Sequence, residues 1–191
     1  MARISIIGTG KMGQAIAALA GKGDHVVETF DTSDHDRPVT GDIVVLAVPY
    51  PAVEGVLAQR GESLAGKVVV DITNPLNFET FDSLTVPADG SATAEIAAAL
   101  PESRVVKAFN TNFASTLASG AVGSLTTTVL IAGDDADAKE QVATIVTDGG
   151  LDAIDAGALN RARELEAIGF LQIKLAAAEK VSWTGGFGVV A

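Results

Sequence analysis

Arg3-Ile4-Ser5-Ile6-Ile7-Gly8-Thr9-Gly10-Lys11-Met12-Gly13 is the stretch from which the rest of this chain is read. A short apolar strand runs into Gly-x-Gly-x-x-Gly. The residues that follow repeat apolar positions at Met12, Ile16 and Leu19, one face of a helix. Strand, glycine turn and helix in that order form the phosphate corner of a Rossmann-type βαβ unit. Gly8 permits the tight turn, Gly10 lets a pyrophosphate come against the backbone, and Gly13 lets the helix pack close to the strand. The helix N-terminus presents N–H groups and the positive end of its dipole to that phosphate.

Outward from this unit, strand and helix signals alternate. Residues 25–30 form a second strand. Residues 42–48 form a third, apolar throughout, as suits a central strand covered on both faces. Pro49 and Pro51 open a helix with Val53, Val56 and Leu57 on one face. Residues 67–72 are a strand, 76–91 a long loop and 92–100 a helix. Residues 104–109 and 126–132 are strands. Asp134 is expected to cap a helix with Ala138, Val142 and Ile145 on its face, and 151–154 a short strand. A helix over about 159–180 carries Leu165, Ile168, Leu171 and Leu175 on one side, with Phe170 and Ile173 elsewhere. Apolar residues on several sides point to burial or to a homodimer interface. The expected fold is α/β, a doubly wound parallel sheet in a single domain over residues 1–191. Only about eleven residues lie between Asp31 and Asp42, too few for a crossover helix and a further strand. The edge beyond the second strand should be bare loop.

Composition narrows the function. The chain has 191 residues, 48% of them hydrophobic, enough for a substantial core. The net charge of −11 disfavours nucleic acid and anionic membranes as partners. The absence of cysteine excludes disulfides, cysteine-zinc sites and a thiol nucleophile. No apolar run reaches the length of about 18 residues needed for a membrane span. The first apolar run is too short for a signal peptide, so a cytoplasmic protein is expected.

The adenosine end allows two readings. Asp31, about 18 residues past Gly13, stands where an acid accepts from the ribose hydroxyls, which favours NAD. Thr32 and Ser33 follow it, and Ser33 with Arg37 or His35 would suit the 2′-phosphate of NADP instead.

Four motifs occur in order at strand ends: Gly8 to Gly13, Leu46-Ala47-Val48-Pro49-Tyr50, Asp71-Ile72-Thr73-Asn74-Pro75-Leu76 and Lys107-Ala108-Phe109-Asn110-Thr111. With them, and with Arg161 to Glu166 in the last helix, the chain resembles the deazaflavin (coenzyme F-420)-dependent NADP oxidoreductase family. The resemblance spans most of the chain. It implies an NADP-binding domain and direct hydride transfer. It also implies that Thr9, Gly10, Lys11 and Met12 contact the pyrophosphate and that Ser33 lies near the 2′-phosphate. Ala47, Val48 and Pro49 would run along the cofactor, with Thr73, Asn74 and Pro75 near the nicotinamide. Asp31 is a departure, since many relatives carry glycine, serine and arginine there.

Candidate acid–base groups are few. His25 and His35 lie in the first half, away from the expected nicotinamide. Tyr50 could donate a proton or simply line the pocket, and Lys107 is expected to pair with Asp71. Asn74, Asn77, Asn110, Thr111 and Asn112 can orient a carboxamide but are not acids or bases. Transfer to a flat redox acceptor, such as a deazaflavin or flavin, needs only two rings held face to face. Reduction of a small imine or keto acid, or a non-enzymatic redox-sensing module, are the alternatives. Trp183 with Gly185, Gly186 and Gly188 either packs as an ordinary tail or covers a second substrate.

Overall fold

The computed structural model describes residues 1–34 and 36–190. Strands β1 (Arg3–Ile7), β2 (Val26–Phe30), β3 (Ile43–Leu46), β4 (Val68–Asp71) and β5 (Arg104–Lys107) are joined by helices α1 (Lys11–Lys22), α2 (Tyr50–Arg60) and α3 (Ala92–Ala99). Helix α4 (Ala114–Ser119) and a hairpin of β6 (Ala121–Val122) and β7 (Leu125–Thr126) follow. The chain then forms β8 (Thr128–Gly133), α5 (Ala136–Asp148), β9 (Asp152–Gly157) and α6 (Ala162–Ala177). The main sheet has seven strands in the order β2-β1-β3-β4-β5-β8-β9.

The apolar strands bury both faces. Ile4, Ile6, Val45, Val68, Val70 and Val106 pack with α1 and α5. Their neighbours Ile7, Val44, Leu46, Val69 and Val105 pack with Val53 of α2 and Ile96 of α3. This alternation across the pleat explains why these strands read as unbroken apolar runs. The short link after β2 behaves as its length dictates: β2 is the edge strand and β3 follows directly.

Three expectations are corrected. The sheet is not parallel throughout, because β8 runs antiparallel to β5, pairing Val106 with Gly133 and Lys107 with Ala132. The link between them holds only the six-residue α4 and the hairpin, so the chain re-enters the sheet from the end at which β5 left it. Asp135, not Asp134, caps α5 through the Ala138 N–H at 2.7 Å, and Asp134 instead accepts from the Leu159 N–H. Helix α6 is shorter than its pattern, and its buried stripe is Ala162, Leu165, Glu166, Gly169, Gln172 and Ala176. Leu171, assigned to the apolar face, is 49% exposed. Among the described residues no helix is long and apolar enough to cross a membrane.

Candidate functional site

The glycine loop is shaped by contacts that no other residue allows. Gly8 holds φ +118°, and a Cβ there would lie 2.2 Å from the Ala47 carbonyl oxygen. A Cβ on Gly13 would lie 2.1 Å from the Gly8 oxygen. These two glycines let the tips of β1 and β3 and the start of α1 close on one another. Gly10 differs, since a Cβ there meets no protein atom within 4 Å. The space above it is open, and Gly10 is the N-cap of α1, with no side-chain cap and no acidic residue in the first turn. Such an N-terminus suits an anion.

One end of the site is a cavity of about 310 Å³ between the glycine loop and α2, lined by Gly8, Thr9, Phe30, Asp31, Thr32, Val48 and Arg60 among others. Asp31 Oδ1 accepts from the Ser33 N–H at 2.7 Å and from Ser33 Oγ at 2.6 Å. These bonds hold the Asp31 carboxyl below its usual range. Ser33 therefore spends its hydroxyl proton on Asp31. Arg37 and Arg60 both lie over the Phe30 ring, at 4.1 and 5.0 Å. Arg60, 7% exposed, also donates to the backbone oxygens of Arg37 and Asp34, tying the loop after β2 to α2. His35 lies outside the described residues.

The other end is a groove of about 360 Å³ along Gly10, Lys11, Met12, Ala47, Val48, Pro49, Tyr50, Thr73 and Asn74. It continues into a cavity of about 640 Å³ lined by Asn110, Asn112 and the rings of Phe78, Phe81, Phe109, Phe113 and Trp183. Most of the residues singled out in the sequence thus meet along one path. Pro75 does not, being buried with its carbonyl accepting the Thr85 N–H at 2.8 Å. His25 is buried elsewhere, its Nδ1 accepting the Ala2 N–H at 3.1 Å, and it faces Asp148.

Tyr50 donates its hydroxyl proton to Glu95. Burial first, and then that bond and the charge of Glu95, push the phenol far above its ordinary value. It stays protonated through the neutral range, with its proton already committed. The amides are also committed, to each other. Asn110 Nδ2 donates to Asn74 Oδ1 and to the Leu165 carbonyl, while Asn74 Nδ2 donates to the Asn110 carbonyl at 2.9 Å. Thr73 Oγ1, Asn110 Oδ1 and Asn112 Oδ1 are buried without a hydrogen-bond partner.

Beneath the groove lies a fully buried ionic cluster. Lys107 Nζ donates to Asp71 Oδ2 at 2.9 Å, to Glu166 Oε1 at 2.9 Å and to the Thr73 carbonyl at 2.5 Å. The expected pair with Asp71 is present, and Glu166 is a third member that the strand-end motifs did not reveal. Glu166 also accepts the Ala92 N–H at 3.0 Å and the Thr93 N–H at 3.3 Å, at the start of α3. One turn on, a Cβ on Gly169 would strike Asn74 Oδ1 at 2.4 Å, so only glycine lets α6 sit against the interlocked asparagines. Gln172, a turn further, donates to the Thr111 carbonyl at 3.1 Å. The signal for all three was a polar and small stripe at helical spacing, 166, 169 and 172, amid apolar residues.

Comparison with known proteins places this geometry in context. A family model described as NADP oxidoreductase, coenzyme F420-dependent, matches residues 30–75. The chain is 34% identical over 154 residues to an F420-dependent NADP reductase of Methanocaldococcus jannaschii, covering 78% of this chain and 69% of the relative. It is 28% identical over 181 residues to the metalloreductase STEAP3 of Rattus norvegicus, of whose length it spans 36%. A crystal structure from Arthrobacter sp. FB24, described as a candidate F420-dependent NADP reductase, superposes over the whole of both chains with a TM-score of 0.88 at 26% identity.

Proposed function

The chain belongs to the F420-dependent NADP reductase family, and from that premise we propose that it moves a hydride between NADP(H) and a flat deazaflavin acceptor. It is an NADP-dependent oxidoreductase. One observation carries the choice of acceptor. Among the described residues that line the groove and its aromatic extension, the only titratable side chains are Lys11 and Tyr50. Tyr50 is held protonated on Glu95, and Lys11 lies at the exposed start of α1. Reduction of an imine or ketone needs a placed acid, whereas ring-to-ring transfer does not. When bound, the nicotinamide supplies the hydride, and a deazaflavin takes it at carbon while the accompanying proton comes from solvent.

The protein's part is positional. Gly10 and the first turn of α1 receive the pyrophosphate, with Gly8, Thr9, Lys11, Met12 and Gly13 shaping that corner. Ala47, Val48, Pro49 and Tyr50 form the side wall of the groove. Thr73, Asn74 and Asn110 form its far end, where the unpartnered Thr73 hydroxyl suits the carboxamide. The floor is rigid because the Asn74–Asn110 interlock and the Lys107 cluster tie β4, β5, α3 and α6 together. Holding two rings in reacting geometry is worth more to this reaction than any side-chain chemistry. Exposed Leu171 supports a second copy packing on α6 as part of the same reading. Purified protein mixed with NADPH and a deazaflavin should show matched absorbance losses. The absence of turnover with every deazaflavin and flavin tried would overturn the assignment.

Asp31, Thr32 and Ser33 form the ribose end, and Asp31 sets the selectivity there. Its carboxylate is partly satisfied by Ser33 and attended by Arg37, which is how a site bearing an acid tolerates a 2′-phosphate. Asp31→Asn removes the repelling charge and keeps the acceptor for Ser33. The ratio of NADH to NADPH dissociation constants should rise about tenfold, equivalent to about 1.4 kcal/mol. Titration of both nucleotides into one preparation measures it, and an unchanged ratio would place Asp31 away from the ribose.

A further inference from the structure

We propose that Trp183 is the platform on which the acceptor's flat ring stacks, and that the C-terminal tail exists to hold it there. This deepens the function just proposed and rests on its placement of the nicotinamide in the adjoining groove. Trp183 is 53% exposed, one of the large apolar side chains left open to solvent. It faces an apolar cavity and packs on Phe113, centroids 5.0 Å apart and tilted by 51°. The lining of that cavity also contains Phe78 and Phe81, an edge-to-face pair at 5.9 Å.

The tail is anchored at Trp183 itself and again a few residues beyond it. Ser115 Oγ donates to the Trp183 carbonyl. The Phe187 N–H donates to Gln172 Oε1 at 2.9 Å, and Gly188 sits so close to Leu125 that a Cβ would lie 2.6 Å from its Cδ1. Gln172 is thus shared between the tail and the Thr111 carbonyl in the loop after β5. A platform fixed beforehand costs little entropy when a ligand arrives. Two other residues of the lining carry strain of the kind concentrated at binding sites: Phe81 and Phe109 hold φ of 51° and 63°, conformations that bulky L residues rarely adopt.

The occupant follows from continuity and from polarity. The cavity and the cofactor groove share Lys11, Met12, Ile72, Asn74, Phe78 and Ile173, so a ring in one lies beside a ring in the other. Buried Asn110 and Asn112 line the cavity and each has a side-chain oxygen without a donor. A flat heteroaromatic ring with N–H groups on its edge supplies the donors and the stacking face together.

The chain has one tryptophan, so intrinsic fluorescence reports Trp183 alone. Titrating deazariboflavin into the full chain saturated with NADP⁺ should quench that emission saturably. Trp183→Ala should raise the KM for deazariboflavin about tenfold or more, leave the NADPH dissociation constant unchanged, and be largely rescued by Trp183→Phe. Turnover by the wild type without saturable quenching, or with an unchanged KM in Trp183→Ala, overturns the platform and leaves the reaction standing. Saturable quenching without turnover has the opposite meaning: the platform stands and the proposed reaction falls.

Discussion

Lys107→Met should cost about 3–5 kcal/mol of stability. Lys107, Asp71 and Glu166 have side chains 0–1% exposed. The three ammonium hydrogens are spent on Asp71, Glu166 and the Thr73 carbonyl, so the cation is fully bonded. The carboxylates accept every bond they make within the cluster, from Lys107, from the Thr73, Ala92 and Thr93 N–H groups, and from the shared Thr93 hydroxyl. Removing the lysine leaves two buried negative charges side by side with no water to screen them. The penalty is the cost of those unpaired charges, not the net worth of the original pairing. A triple variant, Lys107→Met with Asp71→Asn and Glu166→Gln, removes the charges as well and should regain a substantial part of the loss. Urea unfolding of the three proteins, with equal slopes, measures both numbers. A single variant within about 1 kcal/mol of the wild type would mean that the cluster is not what ties β4, β5, α3 and α6 together.

The second large effect is on binding, and it separates two roles that one motif combines. Gly10→Ala places a methyl group where no protein atom lies within 4 Å, on a backbone of φ −69° that alanine adopts freely. Folding stability should therefore change by no more than about 0.5 kcal/mol. On the proposed placement of the cofactor, the methyl group would occupy the space through which the pyrophosphate reaches the first turn of α1, so NADPH affinity should fall about 100-fold, or about 2.7 kcal/mol. Gly8→Ala should fail in a different way. Its Cβ would collide with the Ala47 carbonyl at 2.2 Å, and its φ of +118° is one that alanine resists. Strain of about 1–3 kcal/mol should appear in the unfolding curve before any ligand is added. Calorimetric titration with NADPH beside thermal unfolding of each variant makes the comparison. Gly10→Ala with full affinity would remove the pyrophosphate from that corner.

These contrasts show what local sequence carries. The strand–glycine–helix unit was legible because each glycine answers to a neighbour within a few residues or to the next strand tip, and the spacing is rigid. The central strands were legible because burial on both faces leaves no polar position in them. The bare edge beyond β2 was legible by counting, since about eleven residues cannot make a crossover. The Lys107–Asp71 pair was expected from the two strand ends, and the register of adjacent parallel strands places Asp71 opposite Lys107.

Other features depended on where distant segments arrive. The reversed direction of β8 depends on where the chain re-enters the sheet, which α4 and the hairpin decide and no strand pattern encodes. Helix α6 misled on its face because its apolar residues were counted and its polar ones were not. Glu166 and Gln172 are buried because Lys107, the α3 N-terminus and the Thr111 carbonyl wait for them, and those partners lie 59 to 74 residues away. The commitment of Ser33 to Asp31, of Tyr50 to Glu95 and of Asn74 to Asn110 was equally hidden, because a hydrogen bond depends on position and not on residue type. By itself the sequence determined the strand–glycine–helix corner, the layered α/β class and the clipped edge, all consequences of short-range sterics and periodic burial. Only the tertiary structure decided which polar groups remain free to meet a ligand, because that depends on which others have already found partners across the fold.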